Sequence, residues 1–190
     1  KTLKKFDLNN EEQTKKLAEE LKNNNYKVAS VESKESKKKV PEPFRTSTLQ
    51  QDANNKLHFS SKQTMMIAQQ LYEGVDLGNK GQVGLITYMR TDSLNLANEF
   101  LTSCHEYIKK NIGEKYAPKT VRRFKTTSKG AQEAHEAIRP THANFSPDEI
   151  RQYLDDKQFK LYQLIWSRTV AGQMNEAIIA SKTVDIIDDK

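Results

Sequence analysis

Apolar and polar positions alternate at both ends of this chain and recur at helical spacing in its middle. Phe6 and Leu8 alternate, and Asn9 followed by Glu12 forms a capping signature for a short helix with Leu17 and Leu21 on its apolar side. Glu11 with Lys15 and Glu12 with Lys16 are favourable pairs four apart, and Asn23-Asn24-Asn25 predicts the stop. Tyr26 and Val28 resume a strand pattern. Residues 33–43 are rich in Lys, Ser and Pro and predict a solvated linker and a domain boundary.

Helical spacing then takes over. Leu49, Ala53 and Leu57 share a face, and Ser60 with Gln63 predicts a capped helix through Met66, Ile67, Leu71 and Tyr72 that ends at Gly74. That helix carries Gln69 and Glu73 on one side. Residues 74–85 hold several glycines and predict a flexible hairpin. Ala97, Phe100, Leu101, Cys104, Tyr107 and Ile108 form a wide apolar stripe, with Asp92 or Ser93 as the expected N-cap. Ser146-Pro147-Asp148-Glu149 is a helix start, and Phe159, Tyr162, Leu164, Ile165, Trp166 and Val170 predict a core helix beyond it. Val184 and Ile186 restore alternation. The fold class expected is mixed α/β (α+β): a mainly helical domain, residues 44–175, inserted into a β-rich domain built from residues 1–43 and 176–190.

Composition narrows the classes. The chain has 190 residues, 29% of them charged, and a net charge of +6. No apolar run reaches the roughly 18 residues of a membrane span, and Lys1-Thr2-Leu3-Lys4-Lys5 is not a secretory leader. The single Cys104 allows no internal disulfide, so a reducing cytoplasm is expected. No Cys-based zinc site is expected, because the four histidines are not in ligand spacing. Charged ends and the missing initiator Met suggest a piece of a longer chain.

Three segments concentrate chemistry. Ile86-Thr87-Tyr88-Met89-Arg90-Thr91-Asp92-Ser93 reads as a strand running into a helix, which puts Tyr88 and Arg90 on one face and a helix N-terminus nearby. A guanidinium beside a phenol favours the phenolate and can grip a phosphate, as a tyrosine nucleophile needs; a packed aromatic beside a surface cation is the plain alternative. Gln132-Glu133-Ala134-His135-Glu136-Ala137-Ile138-Arg139-Pro140-Thr141 gathers a histidine, an arginine and two carboxylates, for phosphate binding and proton transfer or as a polar helix end. Residues 115–129 interleave Lys115, Lys119, Arg122, Arg123, Lys125 and Lys129 with Tyr116 and Phe124 and hold no acid, which suits a single-stranded nucleic acid or a solvated loop.

In order along the chain, Pro43-Phe44-Arg45-Thr46-Ser47-Thr48-Leu49-Gln50-Gln51, Thr64-Met65-Met66-Ile67-Ala68-Gln69-Gln70-Leu71-Tyr72-Glu73, the first two of these segments (residues 86–93 and 132–141) and Lys160-Leu161-Tyr162-Gln163-Leu164-Ile165-Trp166 resemble the bacterial type IA DNA topoisomerases. The resemblance implies that Tyr88 attacks one DNA strand to give a 5′-phosphotyrosyl bond and a free 3′-hydroxyl, without ATP, and so relaxes negative supercoils. It further implies that Arg90 steadies the scissile phosphate, that His135 contacts the DNA backbone, and that Gln69 and Glu73 line the site. Thr87, Asp92 and Arg139 are expected close by, and Arg122, Arg123 and Lys125 are candidate DNA backbone contacts. The family's Mg²⁺ belongs to a TOPRIM domain with no counterpart in these residues, so this piece alone is expected to be inactive and to hold no metal itself. The implied partners are a single-stranded segment of negatively supercoiled DNA and the remaining domains of the same polypeptide, with no membrane. The implied location is the nucleoid in the cytoplasm, and the ends are expected to belong to a hinging β-arch. A non-catalytic single-strand-binding module is the alternative; a phosphodiesterase using His135 with a metal is disfavoured for want of a carboxylate cluster.

Overall fold

The computed structural model describes residue 8 and residues 10–22, 24–125 and 135–188. The expected strand around Phe6, the Asn9 cap, Asn23, residues 132–134 and Lys129 lie outside the described residues. The chain forms two compact units, one from residues 1–38 with 178–190 and one from residues 39–177.

In the first unit, α1 (Glu11–Lys22) opens where the Asn10 side chain accepts the Gln13 N–H at 2.8 Å, and Lys15 pairs with Glu11 at 2.6 Å. The strands β1 (Tyr26–Lys38) and β4 (Ala177–Asp188) form a two-stranded sheet. The Ser30 hydroxyl donates to Asp185 at 2.6 Å, and the Asn24 amide donates to Asp188 at 3.0 Å. β1 runs on through Lys38, so residues 33–38 are strand and not the solvated linker expected from their composition. Residues 32–38 of β1 hold no apolar side chain, so the second half of the strand lacks the apolar alternation that Tyr26 and Val28 give the first.

The second unit is mainly helical. α2 (Thr46–Leu57) buries Leu49 and Ala53. α3 (Ser61–Glu73) begins as its capping pattern predicts, with the Ser60 hydroxyl accepting the Gln63 N–H at 3.2 Å. Gly74 ends it at φ 124°, a conformation that L side chains rarely adopt. The glycine-rich stretch is indeed a hairpin: β2 (Val75–Asp76) pairs antiparallel with β3 (Gln82–Val83), Val75 opposite Val83.

α4 (Asn98–Tyr107) starts later than expected. Asp92 and Ser93 are cap-type residues, yet the segment turns locally instead of starting a helix: the Ser93 N–H donates to the Thr91 hydroxyl at 3.0 Å and the Asn95 N–H to the Ser93 hydroxyl at 3.1 Å. No helix N-terminus therefore stands directly beyond Arg90, which removes the dipole expected there. α4 continues as a π-helical turn, residues Ile108–Ile112, and with it buries Phe100, Cys104 and Ile108 in a second core. Burial pushes the Cys104 thiol up to about 12, so it behaves as a small apolar side chain.

The short α5 (Pro147–Ile150) opens at Ser146 as its sequence predicts, the Ser146 N–H donating to the Glu149 carboxylate at 3.1 Å. α6 (Asp156–Gly172) starts at Asp155, whose carboxylate accepts the N–H groups of Lys157 and Gln158, both at 2.8 Å. It buries Leu161, Tyr162 and Ile165 against Leu49, Ile67 and Leu71 in the main core. The Tyr162 hydroxyl donates to the Phe145 carbonyl at 2.6 Å, and burial, aided by the nearby Glu149 and Tyr107, pushes its pKa up.

One glycine fixes how the hairpin rejoins the core. The Leu85 N–H donates to the Leu71 carbonyl at 2.7 Å, and a Cβ on Gly84 would lie 2.7 Å from the Tyr72 carbonyl oxygen. Backbone cannot give way as a flexible side chain can, so Gly84→Ala is expected to cost about 1–3 kcal/mol in urea unfolding of the chain. An unchanged midpoint would show that this approach is not tight.

Candidate nucleophile site

The segment carrying Tyr88 is extended backbone with isolated bridges. Ile86 bridges Pro140 and Phe44 bridges Ile138, so residues 138–141 lie between the start of the helical unit and the Tyr88 segment. The Thr87 N–H donates to the Arg139 carbonyl and the Thr141 N–H to the Leu85 carbonyl, both at 2.9 Å. Leu85 and Ile86 are both buried and the chain bends at Met89 and Arg90, so period-two geometry does not carry from Tyr88 to Arg90 as the strand reading supposed.

Hydroxyls pin the backbone on each side of Tyr88. The Thr87 hydroxyl donates to the Ala137 carbonyl at 2.7 Å and accepts the Arg139 N–H at 3.0 Å. On the other side, the Thr46 hydroxyl donates to the Met89 carbonyl at 2.8 Å and accepts the Thr91 N–H at 2.9 Å. Thr46 is a site residue that residue type alone does not reveal. Its only sequence signal is membership of the Pro43 to Gln51 segment, because its bonds reach across more than forty residues.

The Tyr88 ring is half-buried and lies between two aromatic neighbours. Tyr72 meets it edge-on with centroids 5.4 Å apart, and the exposed His135 lies 5.5 Å away. Tyr72 comes from α3, one turn from Gln69, whose amide donates to the Glu73 carboxylate. Tyr88, His135 and the end of α3 are thus brought together, while Arg90 and Asp92 stand exposed.

One candidate arginine has another job. Arg139 is buried, and its Nε and Nη2 each reach a Glu136 carboxylate oxygen at 2.8 Å. Its Nη1 donates to the Pro140 carbonyl at 2.9 Å, and the guanidinium lies over the Phe100 ring at 4.3 Å. With these donors spent inside the fold, Arg139 holds residues 136–141 in shape, and its backbone bonds to Thr87 place it close to the Tyr88 segment as expected. Arg122 is held more loosely, Nη2 donating to the Met174 carbonyl at 3.4 Å and the backbone N–H to the Gln173 side chain at 3.2 Å, while its buried Nε has no hydrogen-bond partner among the described residues. Arg123 and Lys125 remain exposed, and bonds from Asn175 to the carbonyls of Tyr116 and Lys115 hold part of this segment against the core instead of leaving it a solvated loop.

Glu136 also accepts the Ala97 N–H at 2.7 Å, serving the start of α4 from 39 residues away. Burial raises its pKa, but hydrogen bonds from Arg139 and Ala97 and the guanidinium charge outweigh that and hold it below the ordinary value of 4.5. A carboxyl depressed on folding stabilises above its unfolded pKa, and that stability is lost as pH falls through the folded one. The chain is therefore expected to weaken below about pH 4.5. Glu136→Gln should flatten that acid limb in urea unfolding measured against pH, and an unaltered limb would count against the assignment.

Among the described residues no three His, Cys, Asp or Glu side chains converge to hold a metal ion, and no described helix is long and apolar enough to cross a membrane.

This bridged, tyrosine-presenting helical unit, with its motif segments in order, is that of a DNA topoisomerase, and a profile of the family described as DNA topoisomerase matches residues 1–190. The chain belongs to that family, on its bacterial type IA branch. DNA topoisomerase 1 of Rickettsia felis is 50% identical over 177 residues, 93% of this chain and 23% of that protein. DNA topoisomerase 1 of Campylobacter jejuni is 47% identical over 188 residues, 99% of this chain and 27% of that one. The full-length topoisomerase I structure from Thermotoga maritima superposes with a TM-score of 0.74 at 39% identity, covering 90% of this chain and 26% of that one. The chain thus spans about a quarter of the length of the relatives it matches.

Proposed function

We propose that this chain supplies the nucleophile of a type IA topoisomerase, with Tyr88 cleaving and rejoining one DNA strand. The observation that carries the reading is the Tyr88 ring standing beside His135 and Tyr72 on backbone pinned from both sides by Thr87 and Thr46. A nucleophile on fixed backbone keeps its attack geometry without ordering cost at the moment of reaction.

The Tyr88 oxygen attacks the phosphorus, the bond from phosphorus to the 3′-oxygen breaks, and that oxygen leaves as a 3′-hydroxyl, taking up a proton as the phenol loses its own. The 5′-phosphate stays on Tyr88. Reversal reseals the strand, and because one phosphoester replaces another no ATP is consumed. The exposed Arg90 steadies the scissile phosphate, His135 contacts the backbone beside the nucleophile, and Gln69, Glu73 and Asp92 line the approach. Mg²⁺ would screen phosphate charge when held by a TOPRIM domain elsewhere in the parent chain, since the donors described here do not form a cage. Strand passage through the break would relax negative supercoils, with the unit formed by both chain ends as part of a hinging arch, in the nucleoid of the cytoplasm.

The test is capture of a covalent adduct between the full-length parent chain and a labelled single-stranded oligonucleotide in the presence of Mg²⁺. A parent chain that binds the strand and traps no adduct would overturn the reading in favour of a non-catalytic single-strand-binding module.

A further inference from the structure

Outside the Tyr88 cluster, a cavity of about 270 Å³ opens between the stretch before α4 and the basic segment, lined by Asn95, Leu96, Leu101, Arg123, Phe124 and Lys125. None of Tyr88, Arg90 and His135 borders it. We infer that it is a binding site for a single unpaired nucleotide, the base entering the cavity and its phosphate resting on Arg123 and Lys125. This inference rests on the topoisomerase reading for its macromolecular substrate and on its own residues for its chemistry.

The lining matches that ligand group by group. Leu96, Leu101 and the Phe124 ring offer an apolar slot for the faces of a base, and aromatic side chains beside cations are what single strands bind. The volume is close to the roughly 300 Å³ at the small end of ligand pockets, which suits one nucleotide. Asn95 contributes a carboxamide, donor and acceptor together, for a base edge. At the rim, Arg123 donates through Nη1 to the neutral Asn98 side chain at 2.7 Å. Neither Arg123 nor Lys125 has a carboxylate partner among the described residues, so their charge is left for an anion. A free-standing loop would lose entropy in ordering itself on binding, but this one is already tied down. Arg122 anchors it to Gln173 and Met174, and the Phe124 ring packs where Gly172 leaves room, 3.8 Å from the position a Cβ would take there. The open apolar slot argues against an acidic peptide, which needs the cations and not the cavity.

The experiment uses the full-length parent chain and two probes, a short fluorescein-labelled oligothymidylate followed by anisotropy over a range of salt, and free dTMP followed by calorimetry. Arg123→Gln with Lys125→Gln should weaken oligonucleotide binding and lower the log-log salt slope by about 1.4, roughly 0.7 for each single-strand phosphate that is no longer neutralised. Leu96→Trp fills the cavity and leaves both charges, so it should weaken binding about tenfold with the slope unchanged. Loss in the oligonucleotide arm alone identifies a nucleotide within a strand, and loss in both arms a site that also takes the free nucleotide. Binding and slope that survive both substitutions, or a Leu96→Trp chain that binds as before, overturn the proposal. Adduct formation by the unsubstituted parent is scored alongside: adduct present with binding insensitive to the variants sinks the pocket alone, whereas adduct absent with sensitive binding sinks the cleavage reading alone.

Discussion

Tyr88→Phe in the full-length parent chain is expected to abolish the covalent protein-DNA adduct while changing single-strand affinity by no more than about threefold. The substitution removes one oxygen and nothing else that the fold uses. The ring keeps its neighbours, Tyr72 at 5.4 Å and His135 at 5.5 Å, and the backbone bonds from Thr87 and Thr46 involve no atom of the Tyr88 side chain. Stability should therefore stay within about 0.5 kcal/mol, as for a substitution that leaves the packing intact. Tyr72 is the necessary control, because its own phenol stands next to the site and is 40% exposed. Tyr72→Phe should retain adduct. If Tyr88→Phe keeps the adduct and Tyr72→Phe loses it, the nucleophile is the α3 tyrosine and the assignment of Tyr88 fails.

How far these residues are readable in sequence depends on the range of the interactions that set them. α3 is legible from Ser60, Gln63 and Gly74 because both its ends are closed by residues within four positions. α6 is legible because its apolar side chains follow helical period on the way to the core. The start of α4 misleads for the opposite reason. Ser93 has cap chemistry, but its hydroxyl is taken by the Asn95 N–H in a local turn, and the carboxylate that serves Ala97 comes from Glu136. The polar half of β1 offers no period to read, since residues 32–38 hold no apolar side chain. Within the site, residue types and motifs single out Tyr88 and His135, whereas the clamping role of Thr46 and the inward commitment of Arg139 depend on partners that no local pattern names. Arg139 makes the point most sharply: an arginine beside a histidine in a motif suggests phosphate, and only the position of Glu136 shows that its fork is already filled.

That filled fork carries the largest stability effect expected. Arg139→Met keeps an apolar stem against Phe100 and deletes the charge, leaving Glu136 with the Ala97 N–H alone and the Pro140 carbonyl without its donor. Breaking one side of a buried pair costs about 3–5 kcal/mol. The Glu136 side chain retains 31% exposure, so water can reach it in part and the low end, about 3 kcal/mol, is expected. Trp166, the single tryptophan, packs against both cores and reports the loss by fluorescence in urea unfolding. Glu136→Gln in the same chain should return part of that stability, because the uncompensated charge is then gone; two costs that simply add would mean that the pair is not coupled. The effect should also reach the chemistry. Arg139 donates its N–H to the Thr87 hydroxyl and accepts the Thr87 N–H, so a loosened 136–141 segment frees the backbone immediately before Tyr88. Adduct yield in the Arg139→Met parent chain should fall even where the protein is fully folded, while Arg139→Lys, which keeps the charge but not the fork, should fall between the two. A folded Arg139→Met chain with undiminished adduct would show that Thr87 holds Tyr88 without help from this ion pair.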